Sequence, residues 1–396
     1  MLEKIFKSRK QKVKLTKIFD FCFLKNKQKV LVVVKHSVDF SGNLRIAIEE
    51  LRQNNSELRI FVYKDGIIEK NTKRYLLEQN IIVLEGFTFY TLFHIITSGV
   101  VIVGHTVRDA YISKICSNRL VINLWHGVIF KNIELLMKNL SSSKKQLIKQ
   151  NAKIYNAITA SSDMDQIKMA QAFNLNINHV HVTGLPRYEI LKNSYQYEDK
   201  ALEEEATFIQ KIKSNKKLVL YAPTFRETTY NPLDDLNFQE IDNIANKNNF
   251  IFAIRVHPYT KVSTQLTQFK NITFINNDQC KETNILLKYT DLLIVDYSSI
   301  WIDFLLLKKP IIMYTPDLEN YTSKERGFAY DFRETIDFNI HKNFDNVLKE
   351  IPNSLKQNSI NYSRTHSIFH NYDLSFDYKK AFREMFNSQY KDFFNE

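Results

Sequence analysis

DLLIVDYSSIWIDFLLLKKPIIMY, residues 291 to 314, holds two short apolar runs with a helical segment between them. Leu292 to Val295 and Pro310 to Tyr314 each suit a strand buried on both faces, as the strands of parallel sheets are. Ser298 and Ser299 stand where the first run ends, and either hydroxyl can cap the helix by accepting from an unpaired backbone N–H. Lys308 and Lys309 sit at the far end, where the helix dipole favours cations. Strand, helix and strand make a βαβ unit, and doubly wound sheets bind ligands at the carboxyl end of such a first strand. The turn can hold a phosphate on helix N–H groups, and helix capping alone is the competing reading.

Working outward, the 396 residues are 44% hydrophobic and 13% aromatic, enough for two or three domains with proper cores and not a disordered chain. Cys22, Cys116 and Cys280 are scattered, odd in number and without metal-ligand spacing. They predict a reducing compartment and no disulfide.

The formal charge of +12 raises the question of nucleic acid. Residues 1 to 30 carry ten Lys or Arg against Glu3 and Asp20, which leaves +8 of the +12 in one stretch. Ile5, Phe6, Val13, Leu15, Ile18, Phe19, Phe21, Phe23 and Leu24 are interleaved with those charges. Residues 1–28 are therefore expected to be a basic amphipathic tail lying on an anionic membrane surface, against the plainer reading of a solvated basic tail. Its apolar part is too short and too interrupted for a spanning helix, and no small-residue cleavage site follows it.

Folded structure is expected from Lys29 onward. Val30 to Val34, Leu58 to Tyr63, Ile81 to Leu84, Val100 to Val103 and Leu120 to Leu124 read as short buried strands alternating with helical patterns, a parallel α/β sheet. The last run ends in Trp125, His126 and Gly127, which puts a histidine at a strand's carboxyl end beside a residue that lets the chain turn sharply. His179 and His181 can share one face of a strand, but spacing suggests no third ligand, and no metal site is predicted. Residues 196–216 look like a linker between 29–195 and 217–396. In the second half Leu218 to Tyr221, Phe250 to Arg255 and Ile272 to Ile275 precede the opening unit. Thr224 and Arg226, His257, and Ser298 with Ser299 all fall just after strands.

Trp125-His-Gly127, Thr183-Gly-Leu-Pro-Arg187, Tyr221-Ala-Pro-Thr-Phe-Arg226, Arg255-Val-His-Pro258, Asp296-Tyr-Ser-Ser299 and Arg326-Gly-Phe328 stand in this order along the chain. In order and approximate spacing the set resembles the CDP-glycerol glycerophosphotransferase family, the teichoic acid primases and polymerases and their capsule-building relatives. The resemblance covers about residues 29 to 335 and is carried by the whole set. It implies a GT-B fold, two Rossmann-like domains facing across a cleft, with the acceptor on the N-terminal side, the CDP donor on the C-terminal side, and peripheral attachment at the cytoplasmic face of a bacterial cell membrane. Val128 and Ile129 depart from the Thr-Pro that many members have after Trp-His-Gly, a departure expected to bear on the acceptor and not on the reaction.

The implied reaction moves an alditol phosphate, glycerol before ribitol, from CDP-glycerol or CDP-ribitol to a hydroxyl of a lipid-linked or growing teichoic-acid-like or capsular polymer, releasing CMP. No bound cofactor is implied. The family's catalytic histidines match His126 and His257, and a group titrating near neutrality suits proton transfer from the acceptor. Thr224, Arg226, Ser298, Ser299 and Arg326 are the implied donor contacts; Trp125, Gly127 and Arg187 are assigned to the acceptor or a phosphate. A nucleotide-sugar glycosyltransferase would share the fold, because fold does not fix the group transferred. A nucleic-acid-binding module would leave the histidine motifs without a role and is set aside. The oligomeric state is not readable.

Overall fold

The computed structural model describes residues 8–112, 118–224, 226, 230–255, 268–324, 327–357 and 359–395. The chain divides into two compact units: one takes in the chain up to Ile129, Ile133–Glu189 and the chain from His370 on, and the other takes Phe130–Asn132 and Ile190–Phe369. The expected C-terminal domain of 217–396 thus loses its last stretch to the first unit.

The first unit is built on β1 (Asn26–Val34), β2 (Arg59–Lys64), β3 (Ile82–Glu85), β4 (Ser98–Val103), β5 (Leu120–Asn123), β6 (Ala157–Ala160) and β7 (Val180–Val182). They form one parallel sheet in the order β3-β2-β1-β4-β5-β6-β7. The second holds β8 (Lys217–Ala222), β9 (Phe250–Ile254), β10 (Ile272–Phe274), β11 (Leu292–Val295), β12 (Ile311–Tyr314) and β13 (Ile340–His341), parallel in the order β10-β9-β8-β11-β12-β13. Each order is that of a Rossmann unit, and it reverses between β1 and β4 in one sheet and between β8 and β11 in the other. The apolar runs are buried as expected of strands covered on both faces: Val30 to Val34 and Leu292 to Val295 are all in the core.

Three segments differ from the sequence reading. Arg9–Cys22 is a helix with Ser8 as its cap, so order begins well before Lys29. It is docked: Asp20 is buried in an ion pair with Arg119, itself wholly enclosed, and Lys25 reaches the same carboxylate at 3.4 Å. Lys200–Lys213, expected as linker, is a helix burying Leu202, Ala206 and Ile209, whose four- and three-residue spacing lines one face. Its Gln210 donates to the Tyr289 hydroxyl at 2.7 Å. The last helix, Tyr378–Phe394, packs Phe382, Met385 and Phe386 into the first unit's core. Arg383 meets Glu50 at 2.5 Å, and the Tyr378 N–H donates to Glu189 at 2.8 Å. An apolar stripe shows that a helix is packed, not which core receives it.

Removing one partner of a buried ion pair strands the other charge, which costs about 3–5 kcal/mol. Asp20→Ala should therefore lower the unfolding free energy by about 3–5 kcal/mol, seen as a lower urea midpoint of the intact protein. An unchanged midpoint would mean that the helix Arg9–Cys22 is not held by this pair.

Candidate functional site

In the second unit the turns after β8 and β11, neighbours at the switch point, are joined by one carboxylate. Asp296 is buried, and it accepts from the Thr224 N–H at 2.9 Å, the Thr224 hydroxyl at 2.7 Å and the Tyr297 N–H at 2.5 Å. Arg226 lies against it at 2.8 Å. The same guanidinium donates to both oxygens of Asp317, at 2.9 and 3.2 Å, and to the Thr224 carbonyl at 2.5 Å. It sits over the rings of Tyr297 and Tyr321, 4.8 and 5.2 Å from their centroids. Burial opposes the charge of Arg226, but the bonds and charges of Asp317 and Asp296 outweigh it and raise its pKa. Burial likewise works to raise the Asp317 carboxyl, and Arg226 overcomes it and holds the group below its ordinary range. With every guanidinium nitrogen engaged, Arg226 ties the turn together and has little left for a phosphate.

Ser299 is the N-cap of Ile300–Leu305, yet its side chain makes no capping hydrogen bond. It and Ser298 are half-buried. Helix capping therefore does not account for the Ser299 hydroxyl.

In the first unit the turn after β5 is held by two buried amides. Asn123 accepts the Trp125 N–H at 2.9 Å and donates to the His105 carbonyl at 3.1 Å. Asn43, at the start of the helix after β1, donates to the carbonyls of Leu124 and Trp125 at 3.1 and 3.0 Å and accepts the Arg187 N–H at 3.2 Å. Trp125 has φ +48°, a left-handed conformation unusual for a bulky side chain, and these bonds hold it there. Arg187 closes the arrangement by donating to the His126 carbonyl at 2.6 Å.

The result is an exposed His126 whose ring touches two others. Its imidazole stacks on His105 at a centroid distance of 4.2 Å and an angle of 9°, and the Trp125 ring lies at 4.2 Å and 42°. Burial, then the charges of His126 and Lys35, push the His105 pKa down to about 2, so this ring is neutral at working pH. Beyond buried Gly127, Asp165 accepts the Ile129 and Ser161 N–H groups at 3.1 and 3.0 Å. Burial raises its carboxyl to about 6, against the pull of those bonds and of Arg187.

The structure thus gathers Trp125, His126, Gly127 and Arg187 in the first unit. It places Thr224, Arg226, Ser298 and Ser299 around Asp296 in the second. His257 and Arg326 lie outside the described residues. Among the described residues no group of three or more His, Cys, Asp or Glu is arranged for a metal; His179 bonds the Asn156 carbonyl at 2.8 Å, and His181 lies on β7. Sequence reasoning missed Asn43, His105, Asn123, Asp165 and Asp317. His105 and Asp317 follow β4 and β12 by two and three residues, so the rule that found His126 would have found them. Asn43 and Asp165 each stand near a helix start, where a polar residue carries no signal of its own.

The family described as CDP-Glycerol:Poly(glycerophosphate) glycerophosphotransferase matches residues 15–387. The chain is 26% identical to the teichoic acid poly(ribitol-phosphate) polymerase of Bacillus spizizenii, over 86% of this chain and 53% of that protein. It is 27% identical to the teichoic acid ribitol-phosphate polymerase TarL of Staphylococcus aureus, over 84% and 58%. It thus spans little more than half the length of either. With the teichoic acid poly(glycerol phosphate) polymerase of Bacillus spizizenii it shares 25% identity over 91% of this chain and 92% of that one. Among solved structures, the wall teichoic acid polymerase TagF superposes with a TM-score of 0.79 at 18% identity, covering 99% of this chain and 95% of that one. A UDP-GlcNAc 2-epimerase from Neisseria meningitidis superposes with 0.54 at 14% identity, covering 92% and 100%. The two Rossmann-like units are those of the GT-B fold, and by the extent of the family match the chain belongs to the CDP-glycerol:poly(glycerophosphate) glycerophosphotransferase family.

Proposed function

We propose that this protein transfers an alditol phosphate from a CDP-activated donor to a hydroxyl of a teichoic-acid-like polymer or its lipid-linked start, releasing CMP. The observation that carries the reading is an exposed histidine held on a strained turn at a strand's carboxyl end, in a chain whose family match runs almost from end to end. The acceptor oxygen attacks the distal phosphorus of the donor, its proton passes to the imidazole of His126, and the bond to CMP breaks with the electron pair leaving on CMP. An imidazole reachable from solvent suits that proton. His257 is the second histidine of the proposed pair, carried over from the family motif.

The first unit is assigned the acceptor, with Trp125, Gly127 and Arg187 shaping the turn that presents His126. The second is assigned the donor at the switch point around Asp296. There Ser298, Ser299 and Thr224 offer hydroxyls to phosphate or ribose, Arg226 holds the turn from beneath, and Arg326 is assigned to the developing charge. CDP-glycerol is the first donor to test, as the family's description suggests, with CDP-ribitol beside it because relatives of both kinds match.

The protein is further assigned to the cytoplasmic face of a bacterial membrane as a peripheral enzyme. Among the described residues no helix is long and apolar enough to cross a membrane. The helix Arg9–Cys22 instead exposes Lys10, Lys14 and Lys17 together with Ile18, Phe19 and Phe21. Phe23 beyond it touches Phe93 on Phe89–Thr97, a second helix exposing Phe89, Tyr90 and Phe93. Two packed helices with exposed aromatics and a row of lysines suit an anionic lipid surface, each lysine contributing about 1 kcal/mol there.

Incubation with either CDP-alditol and an oligo(alditol phosphate) acceptor should release CMP and lengthen the acceptor by alditol phosphate units, read by mass spectrometry. His126→Ala and His257→Ala should each lower turnover roughly a hundredfold or more. Transfer of a sugar, or near-normal turnover in the folded variants, would overturn the reading.

For the donor half, Ser298→Ala with Ser299→Ala should weaken CMP binding in calorimetry and leave the melting temperature unchanged. Arg226→Met should instead cost about 3–5 kcal/mol of stability, because it strands Asp296 and Asp317. The reverse pattern would make Arg226 the ligand and the serines the support.

For the membrane, Phe89→Ser with Tyr90→Ser should reduce sedimentation with anionic vesicles without lowering turnover on a soluble acceptor. Unchanged sedimentation would move the contact elsewhere.

A further inference from the structure

We infer that His105 is a positioning residue for this reaction: its ring fixes the plane of the His126 imidazole from which the acceptor proton is taken. The inference rests on the reading of His126 as the base and adds to it a residue from a different strand. The plainer account of His105 is a polar residue in the turn after β4, and three observations speak against it.

The first is the stack itself. Two imidazoles with centroids 4.2 Å apart and planes 9° from parallel are stacked face to face, so the His105 ring bears directly on the plane of the exposed His126 ring. Trp125 lies against it as well, and the two contacts restrict rotation about the outer side-chain bond of His126, a torsion that is otherwise broad.

The second is the way the two turns are joined. One buried amide, Asn123, donates to the carbonyl of His105 and accepts the N–H of Trp125, the residue before His126. The spacing between the two turns that carry the rings is therefore tied to the end of β5. Geometry of this kind matters for a proton transfer, because a misplacement on the order of 1 Å can cost about a hundredfold.

The third is charge. Lys35 and His126 are the charged or titratable groups that act on His105, and with its burial they keep it neutral. A neutral ring can remain stacked when His126 takes up the proton, whereas a second cation would drive the rings apart. Arg187 adds its charge near the His126 carbonyl, not against the ring face.

The test uses the full chain with His105→Ala and His105→Phe, a CDP-alditol donor and a soluble acceptor. His105→Ala should lower kcat about tenfold or more with the donor KM within about twofold, and His105→Phe, which keeps a flat ring but no nitrogen, should recover most of the loss. The His126 ring-proton resonance should lie upfield in the parent and in His105→Phe and move downfield in His105→Ala, with melting temperatures confirming that all three are folded. Parent-like kcat in His105→Ala beside an inactive His126→Ala overturns the inference alone, as does a Phe variant no better than the Ala variant. Parent-like turnover in His126→Ala overturns the base assignment and the inference with it.

Discussion

A parallel strand ends with peptide groups that its neighbours no longer pair, and the turn that follows must find partners for them or expose them to water. The sites of this protein are two solutions to that constraint, and they differ by one functional group. In the first unit the partners are amides, Asn123 and Asn43, each of which both donates and accepts. Such a side chain can join two turns while remaining neutral, so the turn it supports is lined with His105, Trp125 and His126 and needs no counterion. In the second unit the partner is Asp296, which only accepts. It gathers N–H and O–H donors from Thr224 and Tyr297, and its buried charge calls for Arg226, whose own charge calls for Asp317.

That difference bears on what each edge can do. Amide partners add no charge of their own beside the exposed imidazole, whose surroundings are set by its ring contacts and by Arg187 on its carbonyl. The charged turn keeps its cation for its own carboxylates, so any anion bound above it meets hydroxyls and backbone N–H groups first. A UDP-GlcNAc 2-epimerase superposes on this chain at lower similarity, so the fold itself does not select the chemistry.

The sheets were legible because burial on both faces is a local property of a strand. Leu292 to Val295 has the limits that its apolar run suggests. β13 was not, since two residues, Ile340 and His341, leave no pattern to read. Packing of whole helices was the larger loss. Arg9–Cys22 reads as a charged tail because Asp20, its one acidic residue, looks like any other surface charge until Arg119 is seen beneath it. Tyr378–Phe394 closes the first unit from the far end of the chain, with Tyr378 lying where a side chain at Gly184 would clash, 2.4 Å from an added Cβ. At the sites, position after a strand found the residues, while roles depended on partners distant in sequence: Arg226 looked like a phosphate ligand and is engaged by Asp296 and Asp317.

Val128 and Ile129 show how such a departure can be understood once partners are visible. Both are buried, at 5% and 2% exposure, so neither can touch an acceptor in solution. Where the Thr-Pro of the resembled motif would place a proline, Ile129 has an N–H, and that N–H donates to Asp165, a wholly buried carboxyl that also accepts from Ser161. A proline at this place would have no hydrogen to give and would leave one oxygen of Asp165 without its donor. An unpaired buried acceptor costs about 1–3 kcal/mol, more when charged, and burial has already raised this carboxyl to about 6. The residue after Val128 and the protonation of Asp165 are therefore coupled choices about how the turn is held. Buried as they are, the two residues act on the surface around His126 through the position of the turn.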